Sequence, residues 1–80
     1  MSNLSGLKPG ERGRISAVDG DDALSQRLVE MGLIEGDLVE VLALAPFGDP
    51  MEIRVGQSVL SLRRQEAARI GIEPLPPEPV

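Results

Sequence analysis

Three carboxylates fall within four residues at Asp19, Asp21 and Asp22, and oxygen ligands at that density are what a hard divalent cation takes. The same run, Asp19-Gly20-Asp21-Asp22, suits a second task. Short acidic side chains ahead of a helix accept hydrogen bonds from its orphan N–H groups and favour the positive end of its dipole. The expectation is a loop and helix cap rather than a metal site. With no His and no Cys among 80 residues, zinc fingers, Ser/His triads, Cys/His nucleophile pairs and disulfides are excluded by composition. The glycines write neither a Walker A pattern nor a G-x-G-x-x-G between strand and helix, so no nucleotide cradle is encoded. An enzyme is not expected. Phe47 is the single aromatic residue, set between Pro46 and Gly48 where burial is awkward. Exposed, it would be an interaction anchor; buried, it would fold back over the end of the domain.

The elements that must carry these residues fit in one domain. Eighty residues with 41% hydrophobic content build one small core with a few kcal/mol of net stability. A formal charge of -5 argues against a phosphate-backbone footprint, which needs clustered Lys and Arg, so no nucleic acid is expected as a partner. Met1-Ser2-Asn3-Leu4-Ser5 lacks the basic start and apolar run of a signal peptide, and no segment approaches the roughly 20 apolar residues that span a bilayer. A cytoplasmic protein without direct membrane insertion is expected.

Leu7-Lys8-Pro9-Gly10 reads as a turn, and Glu11 to Val18 as a first strand that Gly13 weakens. Leu24, Leu28 and Met31 recur at helical spacing, predicting a helix from about Asp22 to Met31. Gly32 stands where a helix end needs a residue that tolerates positive φ. Glu35-Gly36 is a turn, and Asp37 to Leu44 a strand with Val39, Val41 and Ala43 on one face. Leu38, Leu42 and Leu44 make its other face apolar too, so both faces are expected to be covered, one of them by the helix. Ala45 to Pro50 is a hairpin loop, Met51 to Val55 a strand with one wet face, Gly56-Gln57 a turn, and Ser58 to Leu62 a further strand. Arg63 to Arg69 fits a single helical or 3₁₀ turn. Ile70-Gly71-Ile72 closes the sheet, placing the domain at residues 1–72, and the Pro-rich stretch 73–80 reads as a disordered tail unable to donate a regular ladder.

Arg27-Leu28-Val29-Glu30-Met31-Gly32-Leu33 followed by Gly36 and Val39, then Ala45-Pro46 with Gly48-Asp49-Pro50, Gly56, and Leu62-Arg63 with Glu66-Ala67, resemble in order and spacing the motif blocks of the ferrous iron transport protein A (FeoA) family. The resemblance covers about Leu4 to Ile72. It implies a mainly β fold: a small SH3-like antiparallel barrel with one α-helix between the first two strands and a short helical turn near the C-terminus. It also implies a partner, the membrane GTPase transporter of ferrous iron (FeoB-type), which such proteins assist from the cytoplasmic side. The domain resembles in addition the C-terminal module of iron- or manganese-responsive repressors, but with only about twenty residues ahead of the helix no full repressor is expected.

An iron role raises the question of an iron site. Ferrous iron favours imidazole, carboxylate and clustered thiolate, and of these the chain offers only carboxylates. Neither a metal nor another cofactor is expected to be held tightly. An SH3-like peptide groove needs an aromatic lining, which one Phe cannot supply. The residues left to meet a partner are Arg27 and Glu30 on the polar side of the helix, Phe47, Gly48 and Asp49 in the hairpin loop, and Arg54. Arg27 or Arg54 could be supplied in trans to a GTPase as an arginine finger, but a solvated or salt-bridged surface arginine is the expectation for both. Two other readings stand beside docking: a homo-oligomer formed through exposed barrel edges and Phe47, and a weak divalent-metal sensor akin to the repressor modules.

Overall fold

The computed structural model describes residues 2–76. Alternation writes the first strand, β1 (Arg12–Val18), whose Gly13 and Ile15 turn inward while Arg14 and Ser16 face solvent. Helix α1 (Ala23–Glu30) begins at Asp22, whose side chain accepts the Ser25 N–H, and sinks Leu28 into the core. It ends as a Schellman motif. Gly32, at φ 104°, donates its N–H to the Val29 carbonyl at 3.0 Å. Leu33 donates to Leu28 at 3.1 Å, and both leucines are fully buried. That pair of bonds satisfies carbonyls the helix leaves open and turns the chain toward the sheet.

Strands β2 (Leu38–Leu44), β3 (Met51–Val55) and β4 (Ser58–Leu62) follow, then the four-residue helix α2 (Arg64–Ala67) and β5 (Ile70–Pro74). All pairings are antiparallel, and the strand order is β4-β3-β2-β1-β5. This is the mainly β architecture expected from the sequence, with the helix between the first two strands and the helical turn before the last. Irregularities between Ile15 and Ala17 in β1 and between Val41 and Ala43 in β2 break the register. Such bulges bend a strand and let a sheet curve around its own core.

The β2 bulge overturns one expectation. Val39 and Val41 are buried, but beyond the bulge Ala43 falls opposite Glu52 and Leu44 opposite Met51, so the alternation changes phase. Ala43 is exposed, and the outward face is not covered by the helix: Leu38 remains 45% exposed. Helix α1 instead closes the core from the side of β1, where Leu28 lies against the same buried cluster as Ile15, Ile53 and Ile70.

Both ends of the chain carry more structure than their composition suggests. Leu7, read as the first residue of a turn, and Leu4, given no structural role by the sequence, are core residues held by a 3₁₀ turn over Leu4–Gly6 whose start is capped by Asn3. The last strand runs two residues past Ile72. Glu73 pairs with Arg14, Pro74 with Gly13, and the Leu75 N–H donates to the Arg12 carbonyl at 3.0 Å. The expected boundary after residue 72 therefore falls inside β5, because prolines end a strand only where their missing N–H is needed. The remainder of the expected tail, 77–80, lies outside the described residues.

Candidate functional site

The hairpin joining β2 to β3 is tied at its base and its tip. Ala45 donates to the Pro50 carbonyl at 3.0 Å, Gly48 donates to Ala45 at 2.7 Å with φ 80°, and the Asp49–Pro50 peptide is cis. The Asp49 carboxylate accepts the Arg64 backbone N–H at 3.0 Å and lies 4.0 Å from the Arg63 guanidinium, which fastens the loop to the start of α2. Phe47 at the tip is 97% exposed. Pointing into water, the ring adds nothing to the core and stands open to another molecule.

From Asp49 a line of polar contacts leads back to α1. Arg63 is the residue before α2 and offers no side-chain acceptor for the helix N–H groups, so Glu66 reaches back and accepts the Arg63 N–H at 2.8 Å. This is half of a capping box with arginine where Ser or Thr usually stands. The second Glu66 oxygen is ion-paired to the Arg27 guanidinium. Glu66 is only 8% exposed, whereas the Arg27 side chain is 62% exposed, so the carboxylate end of this pair is the shielded one. Arg27, Asp49, Gly48 and Phe47 are thus brought into one connected edge built from α1, α2 and the hairpin.

Arg54 and Glu30 are not part of it. Arg54 faces Glu40 across β2 and β3 and approaches it to 3.5 Å on the outer side of the sheet. Glu30 borders a shallow depression with Val18, Asp21, Gln26 and Val29. Of the two guanidiniums named for a finger role, Arg27 is ion-paired to the buried Glu66 carboxylate, while Arg54 makes a solvent-exposed contact with Glu40 at 3.5 Å. Reading the chain alone missed Glu66, Arg63 and Arg64 as parts of this edge. The signal for Glu66 was its spacing of three from a helix start, hidden because the cap residue was an arginine.

The acidic run behaves as a cap. Asp22 accepts the Ser25 N–H at 3.2 Å and the Arg69 guanidinium at 2.7 Å, and the Arg69 hydrogen bond first, then that of Ser25, holds its carboxyl below the ordinary value of 3.8. A carboxylate already engaged by a guanidinium is a poor ligand for a cation, and among the described residues no three acidic side chains converge to hold a metal ion.

A family model described as the FeoA domain matches residues 2–74. The chain is 37% identical over 70 residues to a protein of Porphyromonas gingivalis named Fe(2+) transport protein A/Fe(2+) transporter FeoB fusion protein; the match takes in 88% of this chain but 8% of that relative. Among solved structures, iron(II) transport protein A from Clostridium thermocellum superposes with a TM-score of 0.88 at 35% identity, covering 92% of this chain and 46% of that one. FeoA of Stenotrophomonas maltophilia, solved with zinc and described as a prokaryotic SH3 domain protein, superposes with a TM-score of 0.81 at 30% identity over 91% of both chains. With a domain model spanning nearly all the described residues and these relatives sharing its barrel, the chain belongs to the FeoA family of ferrous iron transport proteins.

Proposed function

We propose that this chain is an accessory protein of ferrous iron uptake that works in the cytoplasm, docking on the cytoplasmic part of a FeoB-type iron transporter GTPase and modulating its assembly or activity. The observation that carries the reading is Phe47, 97% exposed on a loop anchored by Asp49 to α2. A rigid aromatic at a hairpin tip loses little entropy on entering a partner's pocket, and residues of that kind dominate binding energy at interfaces. The fusion of the two proteins in one P. gingivalis chain supports the pairing, because a covalent link replaces an encounter that otherwise depends on concentration.

The hairpin is the primary contact, and the arginines act second. Arg27 is ion-paired to Glu66, so a finger role for it requires that pair to open, whereas Arg54 makes only an exposed 3.5 Å contact with Glu40. The chain contains no His and no Cys, and the GTP chemistry belongs to the transporter. Binding of the full chain to the transporter's soluble domain, measured by calorimetry, tests the proposal. Phe47→Ala is expected to weaken it by about 2 kcal/mol or more, roughly 30-fold, with folding unaffected. No binding by the wild-type chain, or equal binding by the variant, removes the reading.

A further inference from the structure

The two edges of the sheet are treated differently. At the β5 edge Asn3 bridges to Gly71, and the Ile72 N–H donates to the Ser2 carbonyl at 3.0 Å, so the N-terminal segment covers it. At the β4 edge no further strand pairs with Ser58–Leu62 among the described residues. The turn between β3 and β4 has two residues, Gly56 and Gln57, with Gly56 at φ 59°. Val55 and Ser58 flank it as a hydrogen-bonded pair. The ladder then alternates, bonding Leu60 to Ile53 and Leu62 to Met51, and this aims the N–H and C=O groups of Val59 and Ser61 away from β3.

The devices that normally blunt an edge are missing here. Ser58-Val59-Leu60-Ser61-Leu62 contains no charge and no proline, and the register with β3 runs without a bulge, unlike those of the other long pairings. Val59 is 54% exposed on the outer face. Leu60 packs on the core from the inner face yet is only partly buried, because the barrel wall stops at its own strand.

We propose that β4 is the pairing edge for a second copy of this chain, the two strands lying antiparallel about a two-fold axis at Leu60. The sequence of the edge is complementary to itself in that register. Val59 of each copy falls opposite Ser61 of the other, so the four outward-pointing backbone groups of one strand meet the four of its mate. Leu60 meets Leu60 across the axis and covers the surface each monomer leaves open. The contact strip is uncharged, so chains of formal charge -5 approach along the one edge strand that carries no like charge, whereas a foreign strand would find no charge there to select it. A single strand pair buries less area than a standard interface, so the dimer is reversible. The inference uses none of the hairpin residues and is independent of the docking reading.

Sedimentation equilibrium of the full chain from micromolar to millimolar concentration tests it, with amide exchange followed residue by residue. The mass is expected to rise from 8.5 kDa toward twice that value, while the Val59 and Ser61 amides become protected in step. Ser61→Pro deletes an N–H that points away from β3, so the β3–β4 ladder survives and the chain is expected to stay monomeric throughout. Val59→Lys places like charges across the pairing edge and is expected to raise the dissociation constant tenfold or more, which keeps the test decisive if the proline variant folds poorly. A mass of 8.5 kDa at every concentration, a dimer equally strong in Val59→Lys, a dimer lost in Phe47→Ala, or Val59 and Ser61 amides protected only when a transporter fragment is added would each overturn the proposal.

Discussion

Because the Arg63 N–H and the Arg27 guanidinium converge on a carboxylate that is 8% exposed, Glu66 is the side chain whose loss the edge tolerates least. Glu66→Ala strands a helix-start N–H and frees Arg27, and is expected to cost about 1–3 kcal/mol in urea unfolding. Glu66→Gln keeps an acceptor for the Arg63 N–H and loses less. Asp22 gives a pH-dependent counterpart. Its carboxyl is held below 3.8 by Arg69 and then Ser25, so the unfolded chain takes up this proton before the folded one does. Its contribution is complete above 3.8 and disappears as pH falls through the depressed folded value. The melting temperature of Asp22→Asn should therefore lie below wild type at neutral pH and converge with it as the solution is acidified well below 3.8.

At the scale of elements, glycine at position 13 has a different meaning from the one its strand propensity suggests. A Cβ built there would sit 2.3 Å from Ile72 Cγ2 and 3.2 Å from the Glu73 carbonyl oxygen. The residue therefore permits close packing of β1 against β5, and Gly13→Ala is expected to destabilise the domain by about 1–3 kcal/mol through overpacking, measured by denaturant midpoint. Helix α1 shows the opposite case, where local chemistry was enough. Asp22, the Leu24-Leu28-Met31 spacing and Gly32 specify its start, buried face and stop, and the observed cap bonds use those residues. The Ala45–Pro50 hairpin was legible as a turn for the same reason. What the sequence did not reveal was that Asp49 would bond the start of α2, fifteen positions later.

For the molecule as a whole, closure depends on the last strand meeting the first. Ending the chain after Ile72 removes the pairings of Glu73 and Pro74 and the Leu75 bond to Arg12. At about 0.5–1.5 kcal/mol for a net hydrogen bond, and about 4–8 °C per kcal/mol in a domain this size, the truncated chain should melt several degrees lower by circular dichroism. An unchanged melting temperature would mean that Glu73 to Leu75 add nothing to the fold. The exposed hydrophobics fit the same picture, since Phe47 lies at a loop tip and Val59 and Leu38 lie on the outer side of the sheet. The core is complete without them, which leaves these residues available for contact with other chains.

The amino-acid sequence by itself determined the class of structure, the order of its elements and the exclusion of His- and Cys-based chemistry. Alternation, helical spacing, caps and turn residues are local signals that act over a few positions, and so they can be read along the chain. Tertiary structure alone decided that Arg27 is held by Glu66, that Ala43 leaves the face it shares with Val41, that Leu4 belongs to the core and that β4 keeps an open edge. Each of these depends on which residues meet across long loops or on a one-residue bulge. The energies involved arise from burial and pairing between distant segments, and no window of neighbouring residues contains them.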